Sequence, residues 1–258
     1  MIKIGVCSSI DNLPAIEKAG FEYLEIGFAG LASLPEEEYQ KQKALALASS
    51  IKIEACNSML PGNLRVTGPR VDLDTVEEFI TRGFERAEEL GVKVVVFGSA
   101  GARNVPEGFT YDKAWKQIVE YVTMAEPIAR AHGITIVFEP LQRAESNILH
   151  YVSEGALLAS VLDLPNLKTL GDVYHMVLNG EPLSCLTNAG NLLAHTHIAN
   201  PEGRLFPASQ DEFDYVAVFS ALKACGYDGR ISVEGRALNF EADLPVAYRV
   251  LADARAKA

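Results

Sequence analysis

A parallel α/β barrel of eight strands, each followed by a helix, is the fold this sequence predicts, and three observations predict it. Strand-like and helix-like patterns alternate eight times along the chain, which argues for a parallel sheet with helical crossovers. The 258 residues match the roughly 250 that one closed (β/α)8 TIM barrel takes, and 48% hydrophobic content is ample for its core. Four later strand-like runs end in Glu139, Asp172, His197 and Glu234, and such tips meet only if the strands lie side by side in a closed or strongly curved sheet. A single domain over residues 1–258 is expected, without linker, low-complexity segment or repeat beyond the βα alternation.

Each element has a local reason. Residues 2–7 (IKIGVC) form a first strand, and residues 12–19 form a helix stopped by Gly20. YLEIGFA at 23–29 is the second strand. Pro35 and the acids behind it open a helix through Ser49, where proline and negative charge suit the first-turn amides. KIEACN at 52–57 is the third strand. From Asp74 to Leu90, Val76, Phe79, Ile80, Phe84 and Ala87 recur at helical spacing, and VKVVVFG at 92–98 is the fourth strand. A loop, SAGARNVPEGF, precedes a helix over 112–131. The fifth strand, 134–139 (ITIVFE), is a run of apolar and β-branched residues ending in a carboxylate, as expected of a strand buried on both faces. Helices at 150–162, 181–188, 214–224 and 242–256 alternate with strands at 167–172, 192–197 and 230–234.

Charge and cysteine usage narrow the function. With 34 acidic against 23 basic residues, the net charge of −11 disfavours nucleic acid and anionic membranes as partners. Cys7, Cys56, Cys185 and Cys225 form no CxxC pair and read as reduced thiols of a cytoplasmic protein. The amino terminus enters a strand without a signal-like region, and no apolar run reaches the length of a membrane span. No glycine-rich dinucleotide fingerprint or phosphate loop follows any strand.

Chemistry in a βα barrel sits at the carboxyl ends of the strands. There, three carboxylates and one imidazole on successive tips suit a single divalent ion, manganese, magnesium or cobalt, better than a sulfur-rich zinc site. The competing reading, four isolated polar caps or a salt-bridge network with Arg143, Arg204 or Arg236, accounts less well for four at adjacent tips. His195 points the same way as His197 and is expected to support rather than ligate. His132, at a helix end, is expected to have no chemistry, His150, at a helix start, is expected on the surface, and Arg103, which could reach an anionic or polyhydroxyl substrate, is expected to be a solvated loop charge or salt bridge. Glu25, Asn57 and Cys7 are expected to line the pocket mouth without a catalytic role.

EPLQRAE at 139–145, GDVYHM at 171–176, HTHIAN at 195–200 with Arg204 beyond, and GYDGRISVEG at 226–235 resemble motifs of the sugar isomerase/epimerase superfamily with a xylose isomerase-like barrel, in particular the D-tagatose/D-psicose ketose 3-epimerase group. The resemblance implies one divalent metal, Mn2+ foremost, on Glu139, Asp172, His197 and Glu234. It also implies acid and base roles for Glu139 and Glu234, and substrate contacts from Glu145, His175 and Arg204. The expected activity is epimerisation or isomerisation of a small ketose or hydroxy-ketone through an enediolate. The expected partner is a small sugar, with a dimer or tetramer by analogy. Gln142 stands where the group commonly has Asn, the loop after His197 differs in length, and Gly235-Arg236 replaces a usual Pro and aromatic residue. The resemblance therefore speaks to metal and reaction class more than to the sugar. Two alternatives use related parts. One is a metal-dependent dehydratase or lyase on an inosose or 3-keto-sugar; the other, an endonuclease IV-like hydrolase, is disfavoured because no histidine precedes His132 and the chain is acidic.

Overall fold

The computed structural model describes residues 1–258 and closes eight parallel strands into a barrel in sequence order. The strands are β1 (Lys3–Cys7), β2 (Tyr23–Gly27), β3 (Lys52–Asn57), β4 (Val94–Phe97), β5 (Thr135–Phe138), β6 (Leu167–Asp172), β7 (Leu193–Ile198) and β8 (Arg230–Val233). Closure is made by β8 on β1, with Lys3 opposite Arg230 and Val6 opposite Val233. Around them run α1 (Leu13–Ala19), α2 (Phe28–Ser33), α3 (Glu36–Ala48), α4 (Leu73–Leu90), α5 (Ala100–Arg103) and α6 (Tyr111–Ala131). The second half adds α7 (Val152–Leu162), α8 (Val173–Leu178), α9 (Ser184–Ala189), α10 (Tyr215–Ala224) and α11 (Phe240–Lys257). No helix is long and apolar enough to cross a membrane.

Three helices were not expected. FAGLAS, read as the tail of the second strand and a loop, turns helical at Phe28 because its ring packs over α4: a Cβ on Gly83 would lie 2.3 Å from the Phe28 ring, and Phe84 stacks 5.0 Å away. Four residues of the loop after β4 wind into α5. Val173–Leu178 forms a helix because the Asp172 side chain accepts the Tyr174 amide proton at 2.8 Å, an N-cap hidden inside the motif that also supplies a strand tip. Conversely, the helix expected from residue 150 begins at Val152, capped by Tyr151 and Glu154.

Alternation along each strand gives two cores. The larger fills the space between sheet and helices. A smaller one inside the barrel contains Tyr23, Ala55, Val94, Val96, Val137 and Leu170, from five strands, and two residues beyond the last of these on each strand come Glu25, Asn57, Gly98, Glu139 and Asp172. Apolar filling below and polar groups above is how the barrel presents its site at the carboxyl mouth. At the opposite end, Glu54 receives Lys3 at 2.5 Å and Arg230 at 2.6 Å, tying β1, β3 and β8.

Tyr23 fills the interior only because β1 carries no side chain at Gly5, where a Cβ would lie 2.3 Å from the phenol ring. Gly5→Ala is expected to lower unfolding free energy by roughly 1–3 kcal/mol, as overpacking usually does. Urea denaturation checks it, and a midpoint unmoved at constant slope would mean that the ring has room to retreat.

Candidate active site

Glu139, Asp172, His197 and Glu234 do converge: one ligand-type atom from each lies within 4.8 Å of all the others. Glu139 and Glu234 stand one residue past β5 and β8, their backbone amides still donating to Phe97 O and Ile198 O of the neighbouring strands. Asp172 ends β6 and His197 pairs with it across the β6–β7 register. His197 Nδ1 faces Glu139 Oε1 at 3.1 Å and Glu234 Oε2 at 3.2 Å. Asp172 spends one oxygen on the Tyr174 amide, and its other oxygen, Oδ2, is buried without a hydrogen-bond partner. A buried carboxylate oxygen without a hydrogen bond, with Arg204 Nη2 no nearer than 3.5 Å, beside two more carboxylates and an imidazole is the donor set of a divalent cation, whose opposite ligands stand at most about 5 Å apart. The residues fit such an ion.

Space for this cluster comes from Gly98, past the end of β4. A Cβ there would lie 1.7 Å from Glu139 Oε2, so any side chain would displace the carboxylate.

Beneath the four lies a second set that sequence reasoning placed at the pocket mouth. Glu25 has 0% exposure. Its Oε1 accepts from His197 Nε2 at 3.0 Å, and its Oε2 accepts from His195 Nε2 at 2.7 Å and from the Ser232 hydroxyl at 2.5 Å. The signal was available: an acid in the middle of an apolar strand, with a two-residue histidine alternation on another, needs buried partners. Burial alone would raise Glu25, but the His197 and His195 imidazoles overcome it and hold the carboxyl well below the usual range. Burial likewise works against charge on His197, yet Glu25 and Glu234 push its pKa well above the ordinary value, whereas burial prevails at His195 and lowers it. For Glu139, burial and the nearby Glu234 raise the carboxyl; for Glu234, burial is outweighed by His197 and Arg204, which lower it.

The rim holds the other three expected residues. His175 is buried, its Nδ1 accepting the Gln142 amide proton at 3.2 Å, so Nε2 carries the hydrogen. That Nε2 has no hydrogen-bond partner and lies 3.4 Å from Asp172 Oδ2. Arg204, in the left-handed region at φ 52°, donates to Glu234 Oε2 at 2.6 Å and reaches Glu145 at 3.6 Å, its guanidinium lying 4.8 Å over the Tyr174 ring. Gly235 permits this: a Cβ there would meet the Arg204 carbonyl oxygen at 2.8 Å, and the Arg236 amide donates to that same oxygen at 2.7 Å. Asn57 donates to Glu234 Oε1 at 3.3 Å, and Cys7 stands beside His197 and Glu234.

Two expectations are corrected. Arg103 is not a solvated charge: it is fully buried, donating from Nη1 to Phe97 O at 2.7 Å and from Nη2 to Glu139 O at 2.6 Å. Short α5 turns the side chain inward, where it joins the tips of β4 and β5; burial lowers its pKa to about 10. His150 is not on the surface either, since it lies before the helix and under the β5 loop, its Nδ1 against Leu141 O at 3.1 Å. His132, by contrast, does sit at the end of α6, paired with Glu88 at 2.7 Å.

Comparison with known proteins places the chain by family and fold. The xylose isomerase-like TIM barrel family model matches residues 13–253. The D-psicose 3-epimerase of Ruminiclostridium cellulolyticum is 24% identical over 225 residues, 85% of this chain and 75% of that protein. The 3-dehydro-D-guloside 4-epimerase of Escherichia coli K12 is 27% identical over 122 residues, 47% of this chain and 46% of that protein. In fold, the crystal structure of 3-keto-D-glucoside 4-epimerase from E. coli superposes with a TM-score of 0.83 at 23% identity, covering 99% of this chain and all of that one.

Arg103 separates the corrected picture from the expected one. Arg103→Met leaves the buried Glu139 carbonyl without its donor and Phe97 O with only the Glu139 amide, and should lower stability by roughly 1–3 kcal/mol, where a solvated arginine would change it by less than about 0.5. Thermal and urea unfolding of the variant decide between the two.

Proposed function

The chain belongs to the xylose isomerase-like TIM barrel family, and from that premise we propose that it is a metal-dependent isomerase that epimerises a small keto sugar by moving the proton on the carbon beside the carbonyl. The observation that carries the proposal is the meeting of Glu139, Asp172, His197 and Glu234 within 4.8 Å at the barrel mouth. Two relatives named as sugar epimerases, one of a ketose and one of a dehydro-glycoside, support the reaction class.

Glu139, Asp172, His197 through Nδ1 and Glu234 would hold the ion, Mn2+ by preference for this oxygen-rich set. When bound, such an ion supplies the positive charge that makes a carbon acid of this kind acidic enough for a carboxylate base. The proton transfers belong to the protein. Glu139 and Glu234 project from β5 and β8, with β6 and β7 between them, and so approach a substrate from different sides. One glutamate takes the proton from one face of the carbon, leaving an enediolate. The other returns a proton to the opposite face, and the configuration inverts. His175 directs its Nε2 hydrogen into the site and can donate to a sugar oxygen. Arg204 and Glu145, an ion pair at 3.6 Å on the rim, offer a donor and an acceptor to further hydroxyls.

Metal binding is tested without turnover. Protein dialysed against Mn2+ is expected to retain one ion per chain by elemental analysis; His197→Ala should lose it and His132→Ala should not. Retention by His197→Ala would place the ion elsewhere.

The reaction class has its own readout. A keto sugar incubated with the Mn2+ protein in heavy water should gain deuterium on the carbon beside the carbonyl and return with one hydroxyl inverted. Glu139→Gln and Glu234→Gln should each abolish net conversion, while one of them keeps exchange because a single base can remove and return a proton on its own face. A moved carbonyl would instead indicate an aldose–ketose isomerase, lost water or aglycone a lyase. Absence of exchange in free ketoses, their phosphates, inososes and 3-keto-glycosides would sink the proposal.

A further inference from the structure

Beneath the four mouth residues, a continuous hydrogen-bonded chain crosses the barrel interior. The Tyr23 hydroxyl lies 2.6 Å from Ser232 Oγ, Ser232 Oγ is 2.5 Å from Glu25 Oε2, and Glu25 meets His195 at 2.7 Å and His197 at 3.0 Å. Every member has 0% exposure, so the pattern lies away from bulk solvent. We propose that Glu25 is the positioning residue of the site, accepting the Nε2 hydrogen of His197 and thereby fixing that imidazole with Nδ1 turned toward Glu139 and Glu234.

The proton assignment follows from what a carboxylate can do. An ionised carboxylate only accepts, so each of its three neighbours must donate. His197 and His195 therefore both carry hydrogen on Nε2, the Ser232 hydroxyl turns its hydrogen to Glu25, and the Tyr23 hydroxyl donates to Ser232. Of the two ring nitrogens outside this pattern, His195 Nδ1 has no hydrogen-bond partner. Of the two histidines that meet Glu25, His197 alone turns its second nitrogen toward the mouth cluster, at 3.1 and 3.2 Å from Glu139 and Glu234. Outer partners of this kind orient a ligating imidazole, and their loss typically weakens metal affinity about 10–100-fold.

Glu25, His195 and His197 also lie within the 4.8 Å span of a second metal seat. Here direct hydrogen bonds occupy the facing atoms. An ion would have to break both imidazole contacts, and the carboxylate would exchange three donors for one cation. The geometry favours the hydrogen-bonded reading.

The inference rests on the proposed metal site for its affinity arm, so a second arm is chosen that does not. In protein labelled with 15N-histidine, with signals assigned through His197→Gln, His197 should show a slowly exchanging Nε2 hydrogen both without metal and with Mg2+. That signal should vanish in Glu25→Ala. In parallel, electron paramagnetic resonance titration should show one Mn2+ per chain, bound about 10–100-fold more weakly by Glu25→Gln, whose amide cannot accept from all three donors. Ser232→Ala, which spares the His197 contact, should shift affinity less than about threefold, well short of that loss. Near-ultraviolet circular dichroism of the Gln variant should match that of the parent. A His197 whose hydrogen resides on Nδ1 with Nε2 bare, a second Mn2+ per chain, or unchanged affinity in a folded Glu25→Gln would each overturn the assignment. If the parent chain binds no Mn2+, the metal reading fails, and the Nε2 signal still decides the role of Glu25.

Discussion

A carboxylate shut inside a barrel must find its donors there, and much of the interior is arranged around meeting the needs of Glu25. Its three donors come from β7 and β8, so β2 is tied by side chains to strands beyond β1 as well as to its immediate neighbours through backbone. Ser232 in turn requires a donor, and Tyr23 provides it by reaching across β1 over Gly5. The interior thus divides into two kinds of filling. Ala55, Val94, Val96, Val137 and Leu170 from β3 to β6 pack without polar atoms, while β2, β7 and β8 contribute the hydrogen-bonded side. His197 belongs to both the buried chain and the mouth cluster, which makes it the link between folding and chemistry.

The strands and their tips were legible because period-two burial and an abrupt change from apolar to ionisable residues are local signals. Residues 52–57 and 167–172 match their strands to the residue, and the four mouth residues meet as their placement implied. Most of the misses depended on a contact that the local residue pattern does not show. FAGLAS becomes helical against Gly83, far along the chain, and Arg103 is turned inward by a four-residue helix with no periodicity of its own to read. His150 is covered by the β5 loop through the Leu141 carbonyl. Glu25 was different. Its burial followed from the same alternation that placed Tyr23 inside, and the two histidines at 195 and 197 were the donors it lacked.

Residues without side chains shape the mouth as much as those with them. Gly98 gives up the volume that Glu139 occupies, and Gly235 lets the Arg204 carbonyl approach close enough to receive the Arg236 amide. At this position the chain has a backbone bridge from the loop after β7 to the segment after β8, with Leu205 paired to both Asn200 and Arg236. The bridge holds Arg204 at a backbone angle that only surrounding structure sustains.

That bridge makes the two glutamates unequal, and the inequality bears on chemistry more than the shared quartet does. The same four residues would serve an epimerase, an aldose–ketose isomerase or a lyase, since all three begin by removing a proton beside a carbonyl. What separates them is where the next proton is delivered. Glu234 is held by three side chains, Asn57, His197 and Arg204, so both its oxygens are fixed and its charge is balanced. Glu139 has His197 alone as a side-chain partner, with its backbone carbonyl clamped by Arg103 and its carboxylate confined by Gly98. One carboxylate is positioned by charge and the other by shape. In the proposed inversion one carboxylate must be ionised while the other carries a proton, and these unequal surroundings move the two groups' affinities for a proton in opposite directions.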